Sequence, residues 1–189
     1  MKTPGNPPRT LLLCLLLWGA LLPAAVPAAA ETWLLIDTAE RSLQVMDGEQ
    51  AVQRYENIAI GSGGAAPRRA LGDRQTPLGT FRISSIRKET RYHRFFGISY
   101  PALDDALRAH ASGKIDDAEL ATIRRAHELG QEPPSSTPLG GNIGIHGLGG
   151  GDPRVHEDFN WTDGCIALTN EQVDDLAVWV RPRMTVVIR

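Results

Sequence analysis

The chain is poor in cysteine, with two among 189 residues. That excludes a disulfide-stapled scaffold and a four-cysteine zinc site. It also lacks an excess of basic charge: 20 Lys and Arg stand against 22 Asp and Glu. A protein that binds nucleic acid by charge is thereby excluded. Aromatic residues are scarce at 6%, yet 42% of the chain is hydrophobic and 22% charged. Such a sequence is too apolar for disorder and ordinary for one soluble domain. Internal repeats are absent, so collagen-like and coiled-coil architectures are excluded. The one long hydrophobic run, Leu11–Leu22, is shorter than the ~20 residues that a membrane-spanning helix needs.

That run follows Lys2 and Arg9, ends at Pro23 and is succeeded by Ala28-Ala29-Ala30 before Glu31. Basic start, apolar stretch and small residues are the order of a secretory signal peptide. We expect residues 1–30 to be removed on export to the periplasm or cell envelope, with a retained N-terminal anchor as the rival. Cys14 lacks the small preceding residue of a lipoprotein cysteine. Residues 31–189 then form one domain in which Cys165 is the single cysteine. With no partner for an internal disulfide, it is either an apolar filler or a thiol kept for its reactivity.

Residues 32–60 read as β. Thr32–Asp37 has strand length, Ser42–Asp47 alternates, and Asp47-Gly48 is a hairpin turn because both residues tolerate positive φ. A third strand is expected within 52–60. The loop from Gly61 to Arg74 lacks the Gly-Lys-Ser/Thr ending of a phosphate-binding loop. Thr76–Phe81 is a turn feeding another strand. Residues 102–130 change to helical spacing, with Leu103, Ala106 and Leu107 before Gly113. A second helix starts at Asp116, where Glu119 completes a capping box and Ile115 and Leu120 form a staple. This pair reads as a helical insertion. Gly113–Glu119 imitates half of a calcium loop, but Arg108 and His110 occupy positions that need oxygen ligands. Short strands follow at Asn142–His146, Cys165–Leu168 and Met184–Ile188. Between the last two, Thr169 and Gln172 cap a helix carrying Val173, Leu176, Trp179 and Val180.

Cys165 lies after Thr162-Asp163-Gly164, and His146 ends a strand beside Gly147. A cysteine attacking a carbonyl needs a base, a group to orient that base and donors for the oxyanion. The sequence can supply each part. Taken alone, His146 also fits a satisfied core histidine, and spacing does not bring the two residues together.

The stretch Ile145-His146-Gly147, followed by Thr162-Asp163-Gly164-Cys165-Ile166, resembles the signature of the YkuD-type L,D-transpeptidases. Thr76-Pro77-Leu78-Gly79-Thr80-Phe81 is similar to that family's T-P-x-G-x-F turn. Leu35–Asp37 and Leu43–Val45 resemble its first hairpin. The resemblance leaves residues 102–137 outside it. It implies a mainly β, sandwich or barrel-like catalytic domain with a helical insertion and one helix towards the C-terminus. It further implies Cys165 as nucleophile and His146 as base, with the Gly147 carbonyl orienting the imidazole. The Gly164 and Cys165 amides would help bind the oxyanion, with Thr162, Asp163 and Trp161 beside the substrate. The implied substrates are peptidoglycan stem peptides, acylating the enzyme through the third residue, and the acceptor is an amine of another stem or of an envelope protein. Water as acceptor would give an L,D-carboxypeptidase, and an amidase would use the same site. No metal or organic cofactor and no nucleic acid is implied, and a monomer is expected. Asp163 replaces the family's usual histidine, and Ala167 its frequent arginine or asparagine.

Blander readings stand beside these. Trp161 could be a core aromatic. His156, Glu157 and Asp158 suggest a metal site but read more simply as a solvated cluster in a glycine-rich loop. His93, Tyr92 and Phe95-Phe96 could border the site or pack at the core and rim. The helices of 102–130 could be a lid, an acceptor-docking surface or a stabilising insertion. A non-catalytic peptidoglycan-binding module and a metal-dependent hydrolase are the competing functional classes.

Overall fold

The structure is a computed structural model that describes Met1 and residues 31–189. The expected signal peptide, apart from Met1, lies outside the described residues. Strands β1 (Thr32–Asp37) and β2 (Ser42–Asp47) pair antiparallel, with Leu34 opposite Val45 and Ile36 opposite Leu43. The alternation seen in the sequence places these four in the core. Gly48, at φ 59°, makes the turn into β3 (Gln50–Glu56). Two short strands, β4 (Ala65–Ala66) and β5 (Thr76–Pro77), pair in parallel. They precede the long β6 (Gly79–Thr90) and β7 (His93–Ile98).

Helices α1 (Leu103–Ala111) and α2 (Asp117–Leu129) follow. The second begins with the expected box: Asp116 accepts from the Glu119 N–H at 2.8 Å, and Glu119 accepts from the Asp116 N–H at 3.0 Å. It ends at Gly130, φ 66°, in the left-handed conformation that glycine adopts without strain. Ile115, Leu120 and Ile123 join Ala106, Ala109 and Leu139 in a small core of their own. Leu107 faces outward.

The chain returns through β8 (Gly144–His146), α3 (Pro153–Asp158), β9 (Ile166–Ala167), α4 (Asn170–Leu176) and β10 (Thr185–Ile188). Eight strands make one mixed sheet in the order β3-β2-β1-β10-β6-β7-β8-β9. Its pairs are antiparallel except β1–β10 and β8–β9. Beyond β9, Ala59 and Ala167 exchange backbone hydrogen bonds of 2.8 and 3.0 Å. That bridge brings the chain just after β3 against the opposite end of the sheet, giving the mainly β, barrel-like form. The main core fills the interior with Ile58, Phe81, Phe96, Ile145, Leu168 and Val186 among others.

Three details differ from the sequence expectation. The helix after Cys165 stops at Leu176, so Trp179 and Val180 lie past it. Strands β8 and β9 are shorter than expected. Residues 153–158 form α3 rather than loop, with Pro153 at its first turn and Asp152 capping it. The small α1–α2 core should be sensitive to truncation. We expect Ile123→Ala, at a fully buried position, to cost about 2–4 kcal/mol, measured by urea denaturation.

Candidate active site

The pairing of β8 with β9 decides where the chemistry sits. Ile145 lies beside Ile166 and His146 beside Ala167. Both isoleucines are fully buried. Side chains alternate along a strand, so His146 and Cys165, flanking that buried pair, belong to the opposite face. There they line one cavity of about 210 Å³, together with Tyr92, Asn142, Trp161 and Asp163. His146 is buried and Cys165 partly exposed.

Each member is held by a different device. The Nδ1–H of His146 donates to the Gly147 carbonyl at 2.7 Å, which leaves Nε2 as the basic nitrogen of the neutral ring. Tyr92 stacks on the imidazole at 4.4 Å between centroids, and Trp161 meets it edge-on at 5.8 Å. A Cβ at Gly147 would lie 2.7 Å from Asn170 Oδ1 and 2.9 Å from Val173, so only glycine fits there. Gly164 has φ +119°, and a Cβ on it would come within 2.6 Å of the Gln75 carbonyl. The cysteine can therefore be presented only after a glycine. Its Sγ–H donates to the Asn142 carbonyl at 3.6 Å.

A family model described as the L,D-transpeptidase catalytic domain, YkuD, matches residues 31–188. The chain belongs to that family. Curated proteins provide no match. Among solved structures, the helical cell shape determining protein Pgp2 from Campylobacter jejuni aligns with TM-score 0.58 and 20% identity, covering 85% of this chain and 50% of that one. Bd1075 from Bdellovibrio bacteriovorus aligns with TM-score 0.54 and 18% identity, covering 87% and 50%. At that identity the likeness is one of fold, and this chain spans about half the length of either solved chain.

In this L,D-transpeptidase domain, Thr162 acts as a brace. It is buried, its hydroxyl donates to the Cys165 carbonyl at 2.7 Å and accepts from the Gly164 N–H at 3.1 Å. That second bond occupies one of the two amides expected to face the oxyanion. The Gly144 backbone, which the sequence did not single out, favours the thiolate and partly offsets the effect of burial. Asp163 is almost wholly in solvent and lies 3.4 Å from Arg74. Its influence on the thiol is smaller than that of burial, of the Gly144 backbone and of Arg69. The replaced family histidine thus leaves the thiol governed by other groups. Ala167 is fully buried at the bridge to Ala59.

Burial dominates the electrostatics. It pushes the Cys165 thiol up to about 11 and lowers the His146 imidazole to about 4, so both rest neutral. His156 corrects the reading of 156–158 as a solvated cluster, because it is buried on α3 while Glu157 and Asp158 are exposed. Its Nδ1 accepts from the Trp161 indole N–H at 3.4 Å. Arg41 holds that short helix by donating to the His156 and Glu157 carbonyls at 3.1 and 3.2 Å. His93 pairs with Asp174 and does not line the cavity. Among the described residues no three His, Cys, Asp or Glu side chains gather as metal ligands.

Thr76 is the site residue whose purpose the sequence concealed. Fully buried, its hydroxyl accepts from the Gly61 N–H at 2.9 Å and donates to the Gly164 carbonyl at 3.0 Å. Thr76→Val removes both bonds and strands both partners, so we expect a loss of about 3 kcal/mol in urea denaturation. A pH series tests the imidazole. The unfolded chain takes up its proton below pH 6.5 and the folded chain only near 4. The stabilisation from neutral His146 is therefore full above pH 6.5 and is lost as pH falls towards 4. That loss, about 3 kcal/mol, should be absent in His146→Asn when the two proteins are compared across the series.

Proposed function

We propose that this domain is a cysteine acyltransferase acting on peptidoglycan stem peptides. The observation that supports the reading most is the register that sets His146 and Cys165 on one face of adjoining strands, lining a single cavity. A thiol at about 11 beside an imidazole at about 4 does not store an ion pair. The proton must instead move as the sulfur attacks. Rotation about the Cβ–Sγ bond turns the S–H from the Asn142 carbonyl towards His146 Nε2. Sγ attacks the carbonyl carbon of the third stem residue while Nε2 takes the proton. The Cys165 amide receives the developing oxyanion. The C–N bond to the terminal D-residue breaks, His146 returns the proton to the departing amine, and a thioester remains. An acceptor amine from a second stem or an envelope protein attacks the thioester and gives its proton to His146. His146 then reprotonates the released sulfur. Gly147 keeps the imidazole turned for both halves, and Trp161 and Tyr92 wall the cavity.

Water in place of the amine would make the same site an L,D-carboxypeptidase, or an amidase where the amide hydrolysed is not the one to the terminal D-residue. Pgp2 is named for determining helical cell shape, and wall biogenesis with an effect on cell shape is the corresponding proposal here. We place the domain in the periplasm or cell envelope, delivered by residues 1–30 as a cleaved leader, and working as a monomer without metal or cofactor.

Intact-protein mass spectrometry after incubation with a carbapenem tests the nucleophile. The wild type should gain one adduct and folded Cys165→Ala none. His146→Ala should slow adduct formation by at least ~100-fold. A folded, reduced wild type that gains no adduct would return the domain to the class of wall-binding modules. Digestion of purified peptidoglycan then identifies the acceptor: cross-linked stems indicate an amine, and shortened stems indicate water.

A further inference from the structure

A second and larger cavity, of about 430 Å³, lies between α1 and the loop that carries Arg68 and Arg69. Its charged lining is unbalanced: Arg68, Arg69, Arg108 and Lys114 face a single carboxylate, Asp105. That carboxylate is already engaged, since it accepts from the Ala102 N–H at 3.0 Å and from Arg108 at 2.6 Å.

Arg69 is the unusual member. Its side chain is 4% exposed; Nε and Nη1 are sealed from solvent with no hydrogen-bond partner, which leaves Nη2 as the nitrogen that faces the cavity. The nearest anion, Asp73, stands 3.6 Å away from Nε, beyond hydrogen-bond length, because its oxygens accept from the Ala70 and Gln75 amides instead. The guanidinium lies over the Tyr100 ring at 5.3 Å, a contact that supplies no acceptor. Burying a charge without such partners is costly unless something else provides them. The open Nη2 offers a charged N–H donor suited to a carboxylate oxygen. Apart from Ser112, the rest of the wall is mostly apolar, with Tyr100, Ala109, Ala111 and Leu139, so a small inorganic anion would leave much of the space unfilled.

We propose that this cavity binds the carboxylate of a small organic ligand, a peptide C-terminus or a free amino acid, with Arg69 as its buried anchor. Nη1 would lie 3.0 Å from a Cβ on Gly164, so the anchor backs directly onto the residue before Cys165. Arg69 thus stands between that cavity and the turn that presents Cys165. The proposal does not rest on acyl transfer at Cys165 and is tested without it.

The test uses the full chain carrying Cys165→Ala, titrated calorimetrically with N-acetyl-D-alanine as a peptide end, D-alanine as a free amino acid, and inorganic phosphate. At least one carboxylate should bind saturably and more tightly than phosphate, and whichever binds better names the source. Arg69→Gln should weaken binding at least tenfold. Ala111→Trp, at an exposed position on the rim, should block the cavity to a similar degree and keeps the test decisive if Arg69→Gln fails to fold. Amide NMR shifts should centre on Arg69, Tyr100, α1 and Gly164. Absence of saturable carboxylate binding by the folded protein would overturn the assignment. Phosphate binding at least as tightly as the better carboxylate would do so too, as would carboxylate affinity unchanged in the folded variants.

Discussion

Two residues of parallel pairing carry the site. Ile145 against Ile166 is a fully buried contact, and it fixes the register of β8 on β9. A slip of β9 by one residue would exchange its faces: Ile166 would enter the cavity, and the sulfur would enter the core, away from the imidazole. Such an exchange is opposed by the burial of both isoleucines in the main core. The chemistry is therefore registered by apolar packing on the far side of the sheet, with no direct polar tie needed between His146 and Cys165. Around this pair the remaining contacts are braces. Thr76 and Thr162 grip the Gly164 turn, and Asn170 grips Gly149, accepting from its N–H and donating to its carbonyl, both at 2.9 Å.

The same enclosure that fixes geometry sets the charge state. Tyr92, Phe95 and Trp161 surround the imidazole with aromatic surface, which favours its neutral form. The sulfur is disfavoured as thiolate for the same reason. A neutral pair demands little from its surroundings until a carbonyl arrives, and a thiol at rest resists alkylation and oxidation better than a standing thiolate.

What could be read from the sequence was what local physics decides. The β1–β2 pair follows from alternation, the β2–β3 hairpin from the turn signal at Asp47-Gly48, and α2 and α4 from capping pairs that satisfy their own first-turn amides. The candidates His146 and Cys165 came from motif resemblance, and their shared cavity depends on a pairing between two very short strands that no local signal encodes. His156 was misread because α3 is too short to show helical periodicity, and its burial is secured by Arg41 from a distant turn. Arg69 looked like one of several loop arginines. Its burial arises from the folding of that loop between Tyr100, Gly140 and Gly164, which are far apart in the chain.

The position of β10 has a consequence for how the molecule is made. The last strand is central, sandwiched between β1 and β6, and its parallel partner is the first strand of the described domain. Until residues 185–188 pair, the sheet is two parts with open central edges, β1–β3 and β6–β9, joined only at the far side by the Ala59–Ala167 bridge. Closing the longest loop in the topology is then the step that unites them, and contacts of such high sequence separation form slowly.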